Sequence, residues 1–151
     1  MNGTARTLIA ALFAVIGLAG CARVAGLRAP ASPRGDYVTT RVCGIDLDGK
    51  TNEARLRIEL IVTRPLPPDG LVEALFENPS DAKSPLVTSR AVTGKERSLR
   101  LTSPPVRGIR VKSYEVVVRI YSSPDKRELL GTHAQSCQSP VDLRDLGPQF
   151  R

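Results

Sequence analysis

The chain of 151 residues has no tryptophan, one methionine and one histidine, with only three phenylalanines and three tyrosines. These shortages exclude a good deal. A single histidine, His133, does not make a multi-histidine metal site, and as a general base it would need partners converging from elsewhere in the fold; on its predicted strand it reads as a surface residue. The sequence contains no G-x-S-x-G elbow, no H-E-x-x-H and no G-x-x-x-x-G-K-[ST] loop. With so few aromatics there is little on which unpaired bases could stack, so a nucleic-acid partner is not expected. The aromatics present read as packing residues and not as a cofactor box. No catalytic residue, metal or cofactor is therefore expected, and the chain does not read as an enzyme. Hydrophobic residues still make up 41% of it, a proportion that suits a folded domain and not a disordered one.

Long apolar runs are equally scarce, with one exception. Arg6 precedes an apolar run from Leu8 to Leu18, followed by small residues. A short positive region, about 7–15 apolar residues and a small-residue cleavage site make a secretory signal peptide. A bilayer span would need about 20 residues. The run closes with Leu18-Ala19-Gly20-Cys21, which resembles the lipobox of bacterial lipoproteins: a branched apolar residue, two small ones, then cysteine. The resemblance covers residues 1–21. It implies that residues 1–20 are a signal peptide, that the Cys21 thiol receives a diacylglyceryl group, and that cleavage before Cys21 frees an amino group for a further acyl chain. Each buried CH₂ adds about 0.8 kcal/mol, so two or more chains hold a protein on a membrane that it does not span. Ala22 stands where Asp marks inner-membrane retention under the enterobacterial sorting rule. The implied location is thus the bacterial envelope, at the outer membrane and facing the periplasm.

Residues 21–36 read as the lipidated cysteine and a tether, rich in Ala, Pro, Gly and Arg and without periodicity. At about 3.1 Å per residue the tether could reach some 40–50 Å. Its Arg34-Gly35-Asp36, a tripeptide that animal adhesion receptors recognise, reads as a chance occurrence in an Arg- and Gly-rich stretch. Two cysteines remain, Cys43 and Cys137. In an exported domain a disulfide between them is the expected state, with isolated thiols or a metal pair as the alternatives.

Charge is unevenly spread. Basic and acidic residues cancel from Cys21 to Ser89 and again from Ser113 to Arg151. Between them, Arg90, Lys95, Arg97, Arg100, Arg107, Arg110 and Lys112 face one acid in sequence, Glu96. The segment is expected to gather at one end and one sheet face, as a site for an acidic protein surface, an anionic lipid or a glycan; the competing reading is a solvated face paired with Glu73, Glu77 and Glu115.

Periodicity of two dominates the rest. In Ala54–Arg64, Leu56, Ile58, Leu60 and Val62 alternate with Arg55, Arg57 and Glu59; in Lys112–Tyr121, Tyr114, Val116, Val118 and Ile120 alternate with Glu115 and Arg119. Such alternation marks half-buried strands. Weaker runs lie at Tyr37–Ile45, Leu71–Glu77, Leu86–Val92, Ser98–Thr102 and Glu128–Cys137. The spacing predicts an all-β, seven-stranded antiparallel sandwich over residues 37–139, with a C-terminal tail over 140–151. This order resembles an immunoglobulin-like or fibronectin type III-like module, and Tyr114 falls where such folds keep a corner tyrosine. No tryptophan marks the third strand, and the cysteines lie on the first and last strands. The resemblance implies that these strands run side by side, making Cys43–Cys137 an edge staple. It carries no functional residue across.

Asp46, Asp48 and Asn52 have some of the look of a calcium loop, but Lys50 and an early Gly49 break the pattern, and a polar hairpin connection is expected. The function that emerges is a membrane-anchored, non-catalytic binding or assembly module with an envelope protein as partner. The alternative is a binder of anionic lipid or glycan.

Overall fold

The computed structural model describes residues 37–48, 53–140 and 142–143. The signal-type segment, Cys21, the tether with Arg34-Gly35-Asp36, Asn52 and residues 144–151 lie outside the described residues.

The fold is all-β. Its seven strands are β1 (Val38–Asp48), β2 (Glu53–Val62), β3 (Gly70–Phe76), β4 (Leu86–Val92), β5 (Ser98–Thr102), β6 (Ser113–Tyr121) and β7 (Leu129–Gln138). They form a three-stranded sheet in the order β1-β2-β5 and a four-stranded sheet in the order β4-β3-β6-β7. All pairings are antiparallel. Because β4 pairs with β3 and not with β5, the arrangement departs from the four-plus-three order of an immunoglobulin constant domain, where the fourth strand joins the sheet of the first two.

The alternation read from the sequence builds the core. Leu56, Ile58 and Leu60 of β2 point inward with Leu99 and Leu101 of β5, which the register sets opposite Leu60 and Ile58. From the other sheet come Val72, Ala74 and Phe76 of β3 and Tyr114, Val116, Val118 and Ile120 of β6, all buried. Two apolar faces of this kind release water only by closing on each other, which makes the sandwich the stable solution.

Strand direction alternates along the chain, so the registers define two ends. At the N-terminal end lie Tyr37, the 63–69 link, the 93–97 turn and the 122–128 turn. At the opposite end lie the 77–85 link, the 103–112 link and the exit of β7 at Gln138. A ten-residue strand separates the ends by about 33 Å.

Gly70 is held where the 63–69 link turns into β3. Its N–H donates to the Pro67 carbonyl at 3.2 Å. A Cβ here would clash with the Pro67 ring and lie 2.9 Å from the Tyr121 carbonyl oxygen. These neighbours are a rigid ring and a backbone atom, which give little. Gly70→Ala is expected to destabilise the domain by about 1–3 kcal/mol through overpacking. Urea unfolding with an unchanged midpoint would contradict this.

Both long seams between the sheets are closed by side chains. Cys43 of β1 and Cys137 of β7 form a disulfide with Cα atoms 5.2 Å apart, within the usual range. On the same seam Thr40 Oγ1 and His133 Nε2 are 2.7 Å apart. Across the other seam Thr88 Oγ1 donates to the Thr102 carbonyl at 2.8 Å. The edge staple expected from the resemblance is present, and it links two sheets.

Tyr114 makes the expected corner. Its ring is fully buried, and its hydroxyl accepts from Arg110 N–H at 2.7 Å and donates to the Arg110 carbonyl at 3.3 Å. One hydroxyl thus satisfies both backbone groups of a residue in an otherwise irregular link.

Candidate functional site

The basic segment does not converge, which corrects the sequence expectation. Arg90, near the end of β4, and Lys95 and Arg97, in and just after the 93–97 turn, lie at the N-terminal end. Arg107, Arg110 and Lys112 lie in the 103–112 link at the opposite end. Arg100 sits between them on the outer face of the three-stranded sheet, opposite Glu59. The physical reason is β5, which runs through the middle of the segment and carries its two halves apart.

Two of these cations are also committed to acids. Arg100 contacts Asp46 at 3.0 Å and Glu59 at 3.8 Å, and Arg57 joins them with its own 2.8 Å contact to Asp46. Asp46 is therefore taken up by two guanidinium groups, and the segment around it is a charged sheet face. Lys112 Nζ lies 2.5 Å from Glu77 and over the Tyr114 ring at 4.6 Å. Glu77 also accepts from Glu115 N–H at 3.0 Å, so this nearly buried carboxylate is matched on both oxygens. Glu73, another buried acid, is met by Lys126 and Arg119. Arg90, Lys95, Arg97, Arg107 and Arg110 are exposed and make no ion pair among the described residues.

At the N-terminal end the backbone gathers a small site. The carbonyl of Tyr37 accepts from Thr63 N–H at 2.9 Å and Arg64 N–H at 3.3 Å, and the Arg64 guanidinium stacks over the Tyr37 ring at 5.0 Å. Val62 N–H donates to the Arg97 carbonyl at 3.0 Å, which brings the 93–97 turn alongside. Between these lies an open, shallow pocket of about 180 Å³ lined by Val62, Thr63, Arg64, Pro65, Glu96 and Arg97, with Gly94 at its edge.

The turn that presents Lys95 and Arg97 has its own clamp. Glu96 Oε1 accepts from Thr93 N–H at 2.9 Å and from Thr93 Oγ1 at 3.0 Å, and Gly94 takes φ of 80° to make the bend. The Thr93 backbone N–H holds the Glu96 carboxyl below the usual carboxylate range. A lowered pKa keeps the clamp charged at neutral pH; it is lost as pH falls through the folded-state value. Neither this clamp nor Arg64 was foreseen. Arg64 ends a strand pattern with nothing local to distinguish it, whereas Thr93-Gly94 followed by an acid carried a turn signal.

His133 lies half-buried at the β1–β7 seam and not on an open strand surface. Among the described residues no three of His, Cys, Asp and Glu come together as metal ligands would. No protein family model matches the sequence, and no curated protein matches it.

Proposed function

We propose that this chain is a lipid-anchored protein of the bacterial envelope whose β-sandwich is a non-catalytic binding or assembly module. The observation that carries the reading is Leu18-Ala19-Gly20-Cys21 at the close of the apolar run. The sandwich begins at Tyr37, so sixteen residues from Cys21 to Asp36 join it to the anchor. The Cys43–Cys137 pairing supports export, since disulfides persist in oxidising compartments.

For the protein partner, the end remote from the tether is the surface of choice. Arg107 and Arg110 are exposed there, and Val111, which follows Arg110 in the chain, is 62% exposed. An exposed apolar side chain in a link that carries two exposed cations suits an acidic protein surface with an apolar spot.

The test is affinity purification of the tagged protein from native membranes, with Cys21→Ser as control and mass analysis of the Cys21 peptide. A partner in fixed ratio, lowered by Cys21→Ser and lost on Arg107→Glu with Arg110→Glu, is the expected result. An unmodified Cys21 in the mature protein would overturn the anchor. Partner capture indifferent to Arg107 and Arg110 would overturn the assigned surface.

A further inference from the structure

We propose that the N-terminal end of the sandwich docks on anionic phospholipid headgroups, with the pocket between Arg64 and Arg97 taking a headgroup phosphate and Lys95 beside it. The inference rests on the reading that Cys21 and the tether hold this end at a membrane.

Three observations on the described residues converge here. The first is position. Tyr37 follows the tether directly, and its carbonyl and ring organise Thr63 and Arg64. The residue next to the tether thus braces two residues of the pocket wall, Thr63 and Arg64. The second is chemistry. Arg64 and Arg97 both line one open site, together with Thr63. A guanidinium presents a planar fork of N–H donors that matches phosphate oxygens, and stacking on an aromatic ring limits the freedom lost when it binds. Glu96 lines the same pocket as the one acid among its residues, and its Oε1 is engaged by Thr93. The third is charge balance. Around this end Arg64, Arg90, Lys95, Arg97, Lys126 and Arg127 stand against Asp69, Glu73, Glu96, Asp125 and Glu128. Lys126 is paired with Glu73 and Arg127 with Asp125, whereas Lys95 and Arg97 beside the pocket make no ion pair among the described residues.

The rim suits a bilayer interface too. Ile61, opposite Ser98 at the end of the three-stranded sheet, is 43% exposed, and Pro65 and Pro68 are exposed in the adjoining link. Apolar side chains beside cations settle at the level of the headgroups. The opposite end has Arg107 and Arg110, but it is not the end that carries Tyr37, the residue next to the tether, and Lys112 is bound to Glu77.

The test uses the whole mature chain carrying Cys21→Ser, so that no acyl chain contributes. It is co-sedimented with vesicles of phosphatidylcholine alone and of phosphatidylcholine with phosphatidylglycerol at about 7:3, in low salt and in about 0.5 M NaCl. Binding to the anionic vesicles alone, reversed by salt, is expected. Each basic side chain near an anionic surface changes the partition coefficient about fivefold, so Lys95→Gln with Arg97→Gln should lower it about 25-fold. Arg107→Gln with Arg110→Gln should leave it within about twofold, since those side chains stand farther from the surface than a Debye length. All four positions are exposed, and thermal melts of both variants should match the parent. Equal binding to neutral vesicles, or an equal loss from the Arg107 and Arg110 pair, would overturn the proposal. The anchor fails or stands separately: an unmodified Cys21 in wild type with vesicle binding intact removes the anchor and keeps the docking, whereas a lipidated Cys21 without vesicle binding does the reverse.

Discussion

Replacing Cys43 and Cys137 together by alanine is expected to lower the stability of the domain by about 2–5 kcal/mol. The bridge spans 94 positions and encloses six of the seven strands entirely or in part beyond β1. A loop this long constrains the unfolded chain strongly; the chain-entropy model gives about 4–5 kcal/mol. Native geometry adds to the effect. β1 and β7 are edge strands of different sheets, so no ladder hydrogen bond joins them. Without the bridge, Thr40 and His133 are left to hold that seam. The measurement is urea unfolding of the parent with and without reductant, beside the double alanine variant. The reduced parent and the variant should unfold at similar, lower midpoints. A midpoint insensitive to reduction would show that the bridge contributes little.

Tyr114→Ala should be comparably damaging, at about 3–5 kcal/mol, because it removes one of the largest fully buried side chains and leaves a cavity between the sheets. Tyr114→Phe separates the two roles of the residue. It keeps the ring and removes the hydroxyl that serves both Arg110 backbone groups, for an expected loss of about 1–3 kcal/mol. Hydrogen exchange gives the sharper readout. The Arg110 amide should lose protection in Tyr114→Phe while the amides of β2 and β3 keep theirs. Uniform loss across the domain would mean that the hydroxyl supports the whole core and not the 103–112 link.

Most of the fold was legible because period-two alternation is a direct imprint of a pleated strand with one wet face. Leu86–Val92 and Ser98–Thr102 were bounded to the residue, helped by Pro85 before one and the turn at Gly94 between them. The ends of β1 and β2 were less sharp, since Asp46-Leu-Asp48 continues a strand whose polar face carries an acid, Asp46, paired to Arg57 and Arg100. Alternation in one strand does not say that an acid's partner sits two strands away.

The basic segment shows the same limit more plainly. Seven cations close in sequence were expected to be close in space. The strand β5 between them was recognised, but its consequence is one of topology: residues before and after a strand stand at opposite ends. Arg64 and Tyr37 meet through the β1–β2 register, which shifts between Thr40 and Val42, and no local pattern announces that shift. The place of His133, by contrast, could have been found. It lies four residues before Cys137 on the same strand, so it shares the face that Cys137 turns toward β1.

The disulfide also settles how the domain carries force. The chain enters at one end of the sandwich and leaves at the other. Tension applied between Tyr37 and the end of β7 would run from Tyr37 to Cys43, cross the covalent bridge, and leave from Cys137. The intervening chain, with β2 to β6, lies outside the line of pull. A load that peels the short stretch from Val38 to Val42 then meets a bond between two sulfur atoms, and the rest of the chain stays folded behind it.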